Sequence, residues 1–81
     1  MFDNINRILK KENNFTINIF EKGLYVYNYK KIFVLDENEV ELSLRDKIIN
    51  IKGTNFKIKK MLKEEILISG KVNSIILKEY E

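Results

Sequence analysis

The chain contains no cysteine, histidine, proline or tryptophan, and only three glycines among its 81 residues. Without cysteine there is no disulfide and no thiol chemistry. Without cysteine or histidine, neither residue can ligate zinc or haem, and every Ser-His or Cys-His mechanism is excluded. Long apolar runs are also missing. The longest strictly apolar stretch, Ile32-Phe33-Val34-Leu35, is far short of a membrane span. The start, Met1-Phe2-Asp3-Asn4-Ile5-Asn6-Arg7, has no apolar targeting core, so no secretory signal is visible and a cytoplasmic location is expected. Nor is there a strong charge of one sign. Fifteen basic and twelve acidic residues leave +3, which does not by itself imply nucleic acid.

What is present is the composition of one globular domain spanning residues 1–81. The chain is 44% hydrophobic, 33% charged and 11% aromatic, too apolar for a disordered segment. A chain of this length buries about 60–65% of its unfolded surface, so its own core is modest.

Two periods divide the sequence. In the N-terminal segment 1–12, Phe2, Ile5, Ile8 and Leu9 follow helical spacing, which predicts a short amphipathic helix over 2–11. Ten residues do not hold a helix alone in water, so it needs something to pack on. From residue 14 onward the period is two, which predicts a β domain over 14–81. Phe15, Ile17 and Ile19 alternate with Thr16, Asn18 and Phe20, and Lys22-Gly23 offers a turn. Leu24 to Leu35 is β-prone with a bend expected near Asn28 to Lys31. Further strands are expected at 39–44, 47–52, 55–62, 65–69 and 72–79. No proline vetoes any of them.

Register can be tested on the middle strands. A turn at Arg45-Asp46 sets Leu42 opposite Ile49, Val40 opposite Ile51 and Glu39 opposite Lys52. A second turn at Gly53-Thr54 would set Ile51 opposite Phe56 and Ile49 opposite Ile58. Val40, Leu42, Ile49, Ile51, Phe56 and Ile58 then form one apolar face, and a one-residue slip would send all of them to solvent. A third turn at Gly70-Lys71 would set Ile66 opposite Ile75, leaving apolar residues on both faces of the last two strands. The expected fold is therefore all-β. It is a small antiparallel sandwich or an open barrel of about seven strands, with a short N-terminal helix.

Candidate sites are surfaces rather than catalytic constellations. Tyr25, Tyr27 and Tyr29 share one face of a strand by spacing. Such a row can pack on a sheet with its hydroxyls in water, anchor a protein partner, or stack bases. The segment 47–63 carries six lysines and no acidic residue, among them Lys52, Lys57 and Lys59. It reads as a phosphate-tracking ridge or as a solvated face beside Glu39 and Glu41. Leu67, Val72 and Ile76 form the apolar second face of the last strands. Either the N-terminal helix or another chain would cover them. Asp36-Glu37-Asn38-Glu39 lacks the spacing of a calcium loop and reads as a hairpin turn. No nucleophile has a base in expected reach, so no catalytic residue, metal ligand or cofactor site is assigned.

Three stretches carry a resemblance. They are Asn28-Tyr29-Lys30-Lys31-Ile32, then Ile51-Lys52-Gly53-Thr54-Asn55-Phe56-Lys57-Ile58-Lys59, then Glu64-Glu65-Ile66-Leu67-Ile68-Ser69-Gly70-Lys71-Val72-Asn73-Ser74-Ile75. In their order and spacing the chain from about Asn14 onward resembles the YabP/YqfC-like sporulation proteins of endospore-forming Firmicutes. The resemblance implies a small all-β protein, an immunoglobulin-like sandwich, without enzymatic activity or cofactor. It implies a protein-interaction role in endospore formation, in coat or envelope assembly, and a cytoplasmic place around the developing forespore. The implied partner is another sporulation or coat protein, while the residues themselves leave homo-oligomers as an option and disfavour nucleic acid. The alternative from the residues themselves is a small single-stranded nucleic-acid-binding domain that uses the tyrosine face and the lysine ridge.

Overall fold

The computed structural model describes residues 14–79, and the helix expected at 2–11 lies outside them. Six strands follow in order: β1 (Thr16–Phe20), β2 (Gly23–Tyr27), β3 (Lys31–Leu35), β4 (Glu39–Ser43), β5 (Lys47–Met61) and β6 (Glu65–Glu79). Every pairing is antiparallel, and the strands form one open sheet in the order β1-β2-β6-β5-β4-β3.

Local chemistry explains where the strands stop. Asp36 ends β3 because its Oδ1 accepts the backbone N–H groups of Asn38 (2.9 Å) and Glu39 (2.7 Å), closing the β3–β4 turn. The β4–β5 turn is tight, with the Leu44 N–H donating to the Lys47 carbonyl at 2.8 Å. Asn28 ends β2 in the left-handed region (φ 70°), which asparagine tolerates better than most residues. Its N–H donates to the Glu64 carbonyl, and the Lys30 N–H then donates to Ser43 on β4 at 2.8 Å.

The β4–β5 register is the one read from the sequence: Leu42 opposite Ile49, Val40 opposite Ile51, Glu39 opposite Lys52. The next two turns are not turns. β5 runs unbroken through Gly53-Thr54, and β6 runs unbroken through Gly70-Lys71. The two strands make one long hairpin in which Ile51 faces Ile75, Ile49 faces Leu77 and Ile58 faces Ile68. Ile66 faces Met61 on one side and Val26 on the other. Six strands therefore replace the expected seven or so. The described strands form a single open sheet bent over one core.

The physical reason lies in what glycine does inside a strand. Gly53 lets two backbones approach so closely that a Cβ there would lie 2.0 Å from the Lys71 carbonyl oxygen and 2.5 Å from the Phe56 ring. Gly70 has φ +134°, and a Cβ there would lie 2.7 Å from the same ring. Asn55, also left-handed at φ 58°, absorbs the extra residues between them as the register shifts from Thr54 to Lys57. The hairpin bends here and stays hydrogen-bonded, as strands do at bulges. Phe56 fills the bend and is buried.

Bending brings the two ends of the sheet onto one core. Leu24, Val26, Ile66 and Ile68 come from one side of the bend. Val40, Leu42, Leu44, Ile49 and Ile51 come from the other, and Tyr29 and Phe56 complete the cluster. Backbone bonds from Gly53 to Asn38 (2.9 Å), from Phe56 to Glu37 (2.9 Å) and from Gly70 to Lys22 (3.0 Å) tie the bend to its neighbours. The apolar face read from the sequence is buried at Val40, Leu42, Ile49, Ile51 and Phe56. Ile58 is the exception, 47% exposed on a stretch of β5 that, among the described strands, has a partner on one side only.

Candidate functional site

The register assigns every strand residue to the core face or to the outer face. On the outer face, before the bend, Asn18, Tyr25 and Leu67 lie in one row across β1, β2 and β6. Tyr27 and Glu65 lie in the next row. Tyr25 and Tyr27 are half-buried there. The Tyr25 hydroxyl donates to Glu65 Oε1 at 3.2 Å. Burial, then the neighbouring Glu65 carboxylate, pushes the Tyr25 phenol above its ordinary pKa.

Tyr29 does not join this row. The left-handed turn at Asn28 carries it to the core face, where it is 6% exposed and donates to the Leu62 carbonyl at 2.8 Å. Burial alone raises its pKa. The three-tyrosine surface expected from alternation is thus two tyrosines around a carboxylate. A carboxylate at that position repels a phosphate backbone, which removes most of the case for base stacking on this face.

The lysines scatter as well. Lys52 is exposed opposite Glu39 and Ser74, and Lys57 is opposite Ser69 on the Tyr25 side of the bend. Lys59 falls inside the register shift between Ile58 and Lys60. The bend and the bulges divide these lysines between separate stretches of β5.

Beyond the bend the outer face has a polar clasp that spacing did not reveal. Asn50, buried on β5, donates through Nδ2 to Glu39 Oε2 (2.7 Å) and to Glu41 Oε2 (3.0 Å) on β4. One amide holds two like charges on adjacent positions of the same strand face. Lys47 and Glu79 close the open end of the hairpin with a 2.8 Å ion pair, and that hydrogen bond is the main cause of the raised Lys47 pKa.

The apolar candidates on β6 separate into three situations. Leu67 is half-buried between Tyr25 and Lys60. Val72 lies opposite Gly53 and packs against the core. Ile76 is 48% exposed on the outer face opposite Asn50. Sequence reasoning missed Ile75 and Leu77. They lie on the core face, opposite Ile51 and Ile49, yet are 43% and 49% exposed. Recognising β5–β6 as one hairpin is the signal that finds them.

Two shallow clefts of about 500 Å³ flank the bend. One lies between Leu35, Asp36 and Glu37 and the Phe56–Ile58 stretch. The other lies between Glu21, Lys22 and Ser69–Lys71. Among the described residues no group of three or more acidic side chains is placed to hold a metal ion. No helix among them is long and apolar enough to cross a membrane.

The described residues thus define a small all-β domain whose distinctive features are open strand edges and half-exposed apolar side chains. Residues 10–81 match the YabP family, and the chain belongs to it. It is also similar to a Bacillus subtilis (strain 168) protein described as "Uncharacterized protein YqfC", with 38% identity over 52 residues. That match covers 64% of this chain and 56% of the relative, so it spans little more than half of the relative's length. No solved structure matches the chain.

Proposed function

We propose that the chain is a non-enzymatic protein-interaction module of endospore formation, acting in coat or envelope assembly. Membership of the YabP family, covering residues 10–81, carries the sporulation part of this reading. The interaction part is supported by the half-exposed apolar side chains on β6, which a finished monomer of this size would be expected to cover. Its place is in the cytoplasm around the developing forespore. The test is capture by the tagged full-length chain in sporulating cells, with the same fusion followed by fluorescence. The reading expects a ring or cap at the forespore and recovery of coat or envelope proteins. Even fluorescence through vegetative and sporulating cells, with no such protein recovered, would overturn it.

A further inference from the structure

We propose that the chain pairs with a second copy of itself through the open edge of β6, residues 73–79, to continue the sheet across a twofold axis. The inference deepens the assembly reading above and rests on it for its biological role. The contact itself is tested separately.

β6 has neighbours on both sides along Glu65–Ser69, where β2 pairs with one edge and β5 with the other. Past Gly70, among the described residues, only the β5 side is paired, and the other edge of residues 73–79 is open. From Ser74 to Glu79 this edge follows β5 without a register shift. The other free edges are worse templates. β3 is broken by a shift between Ile32 and Val34. β5 past Asn55 carries Lys57, Lys59 and Lys60 and two shifts. Charge and bulges of this kind are how edges avoid pairing. β1 is regular but offers five residues.

The side chains on the β6 edge fit themselves. An isologous antiparallel pair must keep core-face residues opposite core-face residues. With Ile76 on the twofold axis, Ile76 faces Ile76 on the outer side. Ile75 faces Leu77 twice on the core side. Ser74 then faces Lys78 and Asn73 faces Glu79. No like charges face each other and no apolar residue faces a polar one. Centring on Ile75 instead would set Asn73 against Leu77 and Ser74 against Ile76. Centring on Leu77 would set Glu79 against Ile75 and Lys78 against Ile76. Only the Ile76-centred register matches apolar to apolar throughout. It also brings Ile75 and Leu77 of both copies together beside the Ile49 and Ile51 layer, which explains why core-face residues are left 43% and 49% exposed in one chain.

Because the chain has no cysteine, a single introduced one reports position cleanly. Ile76→Cys places the thiol on the proposed axis, and Asn18→Cys places one at the centre of the β1 edge. Mild oxidation of full-length protein should convert Ile76→Cys to a disulfide-linked dimer and leave Asn18→Cys monomeric. Sedimentation of the unmodified chain should show a dimer. Ile76→Lys should weaken it by about tenfold or more by setting two ammonium groups opposite each other. Circular dichroism should show Ile76→Lys folded, since the side chain is half-exposed. A monomer at hundreds of micromolar, or linking at Asn18 in place of Ile76, would overturn the pairing. Forespore capture by that monomer would leave the assembly reading standing.

Discussion

β6 is one strand with two fates. In Glu65–Ser69 it lies between β2 and β5, and its core-face residues Ile66 and Ile68 are 0% and 1% exposed. In Val72–Glu79 its partner among the described strands is β5 alone, and its core-face residues Ile75 and Leu77 are nearly half exposed. The two halves are alike in sequence, both rich in isoleucine and leucine. What differs is the second neighbour. Burial in a small sheet is set by how many strands flank a residue as much as by how apolar it is. The shared hairpin partner, β5, holds both halves in one ladder, so the contrast has to be read as cover lost rather than strand lost.

The largest expected contrast comes from placing a charge on each half. Ile68→Asp sets an unpaired carboxylate in the core and should unfold a domain whose whole stability is about 5–15 kcal/mol. Leu77→Asp, on the same face, should leave a cooperative melt. Equal loss in both, followed by thermal unfolding, would mean that the distal half is covered in the monomer.

Truncation sharpens the same comparison. Ile66→Ala should cost about 2–5 kcal/mol, as for a fully buried side chain. Ile75→Ala should cost under about 1 kcal/mol when measured by urea denaturation at low protein concentration.

Much of this was legible. The β4–β5 register followed from alternation alone, because Val40, Leu42, Ile49 and Ile51 leave no other choice of face. The long hairpin was not. Gly53-Thr54 and Gly70-Lys71 carry the same residues a two-residue turn would use, and sequence-near pairing is the simpler assumption. The pairing that won joins Ile51 to Ile75 across 24 residues, through a bend built from Gly53, Asn55, Phe56 and Gly70. Tyr29 failed for a similar reason. Alternation continues its row past Tyr27, but the left-handed Asn28 breaks it. Both misreadings fall where one residue's backbone angle redirects everything after it.

The open half is held from the β5 side by the Asn50 clasp. Asn50→Ala removes both donated bonds and leaves Glu39 and Glu41 facing a void, at a cost of about 1–3 kcal/mol. Hydrogen exchange should rise at β4 and the distal β5–β6 ladder and change little in β1 and β2. A uniform rise would contradict a local clasp.

The smallest effect lies at the covered end. Tyr29→Phe loses the bond to the Leu62 carbonyl and should cost about 0.5–1.5 kcal/mol. The raised pKa values of Tyr25 and Tyr29 mean that the unfolded chain ionises first as pH rises. Their contribution is complete below the ordinary tyrosine range. It is lost as pH climbs through the folded values, so stability should fall at alkaline pH. Tyr29→Phe should flatten part of that alkaline loss, leaving the Tyr25 share.

Residue-resolved amide exchange along β6, at low and at high protein concentration, tests the central claim most directly. In dilute solution every amide of Glu65–Ser69 should be protected. In Asn73–Glu79 every second amide, the one turned away from β5, should exchange freely. Raising the concentration should protect those same amides and no others on β1 or β3. Full protection of Asn73–Glu79 in dilute protein, or free amides that stay free at high concentration, would contradict the account.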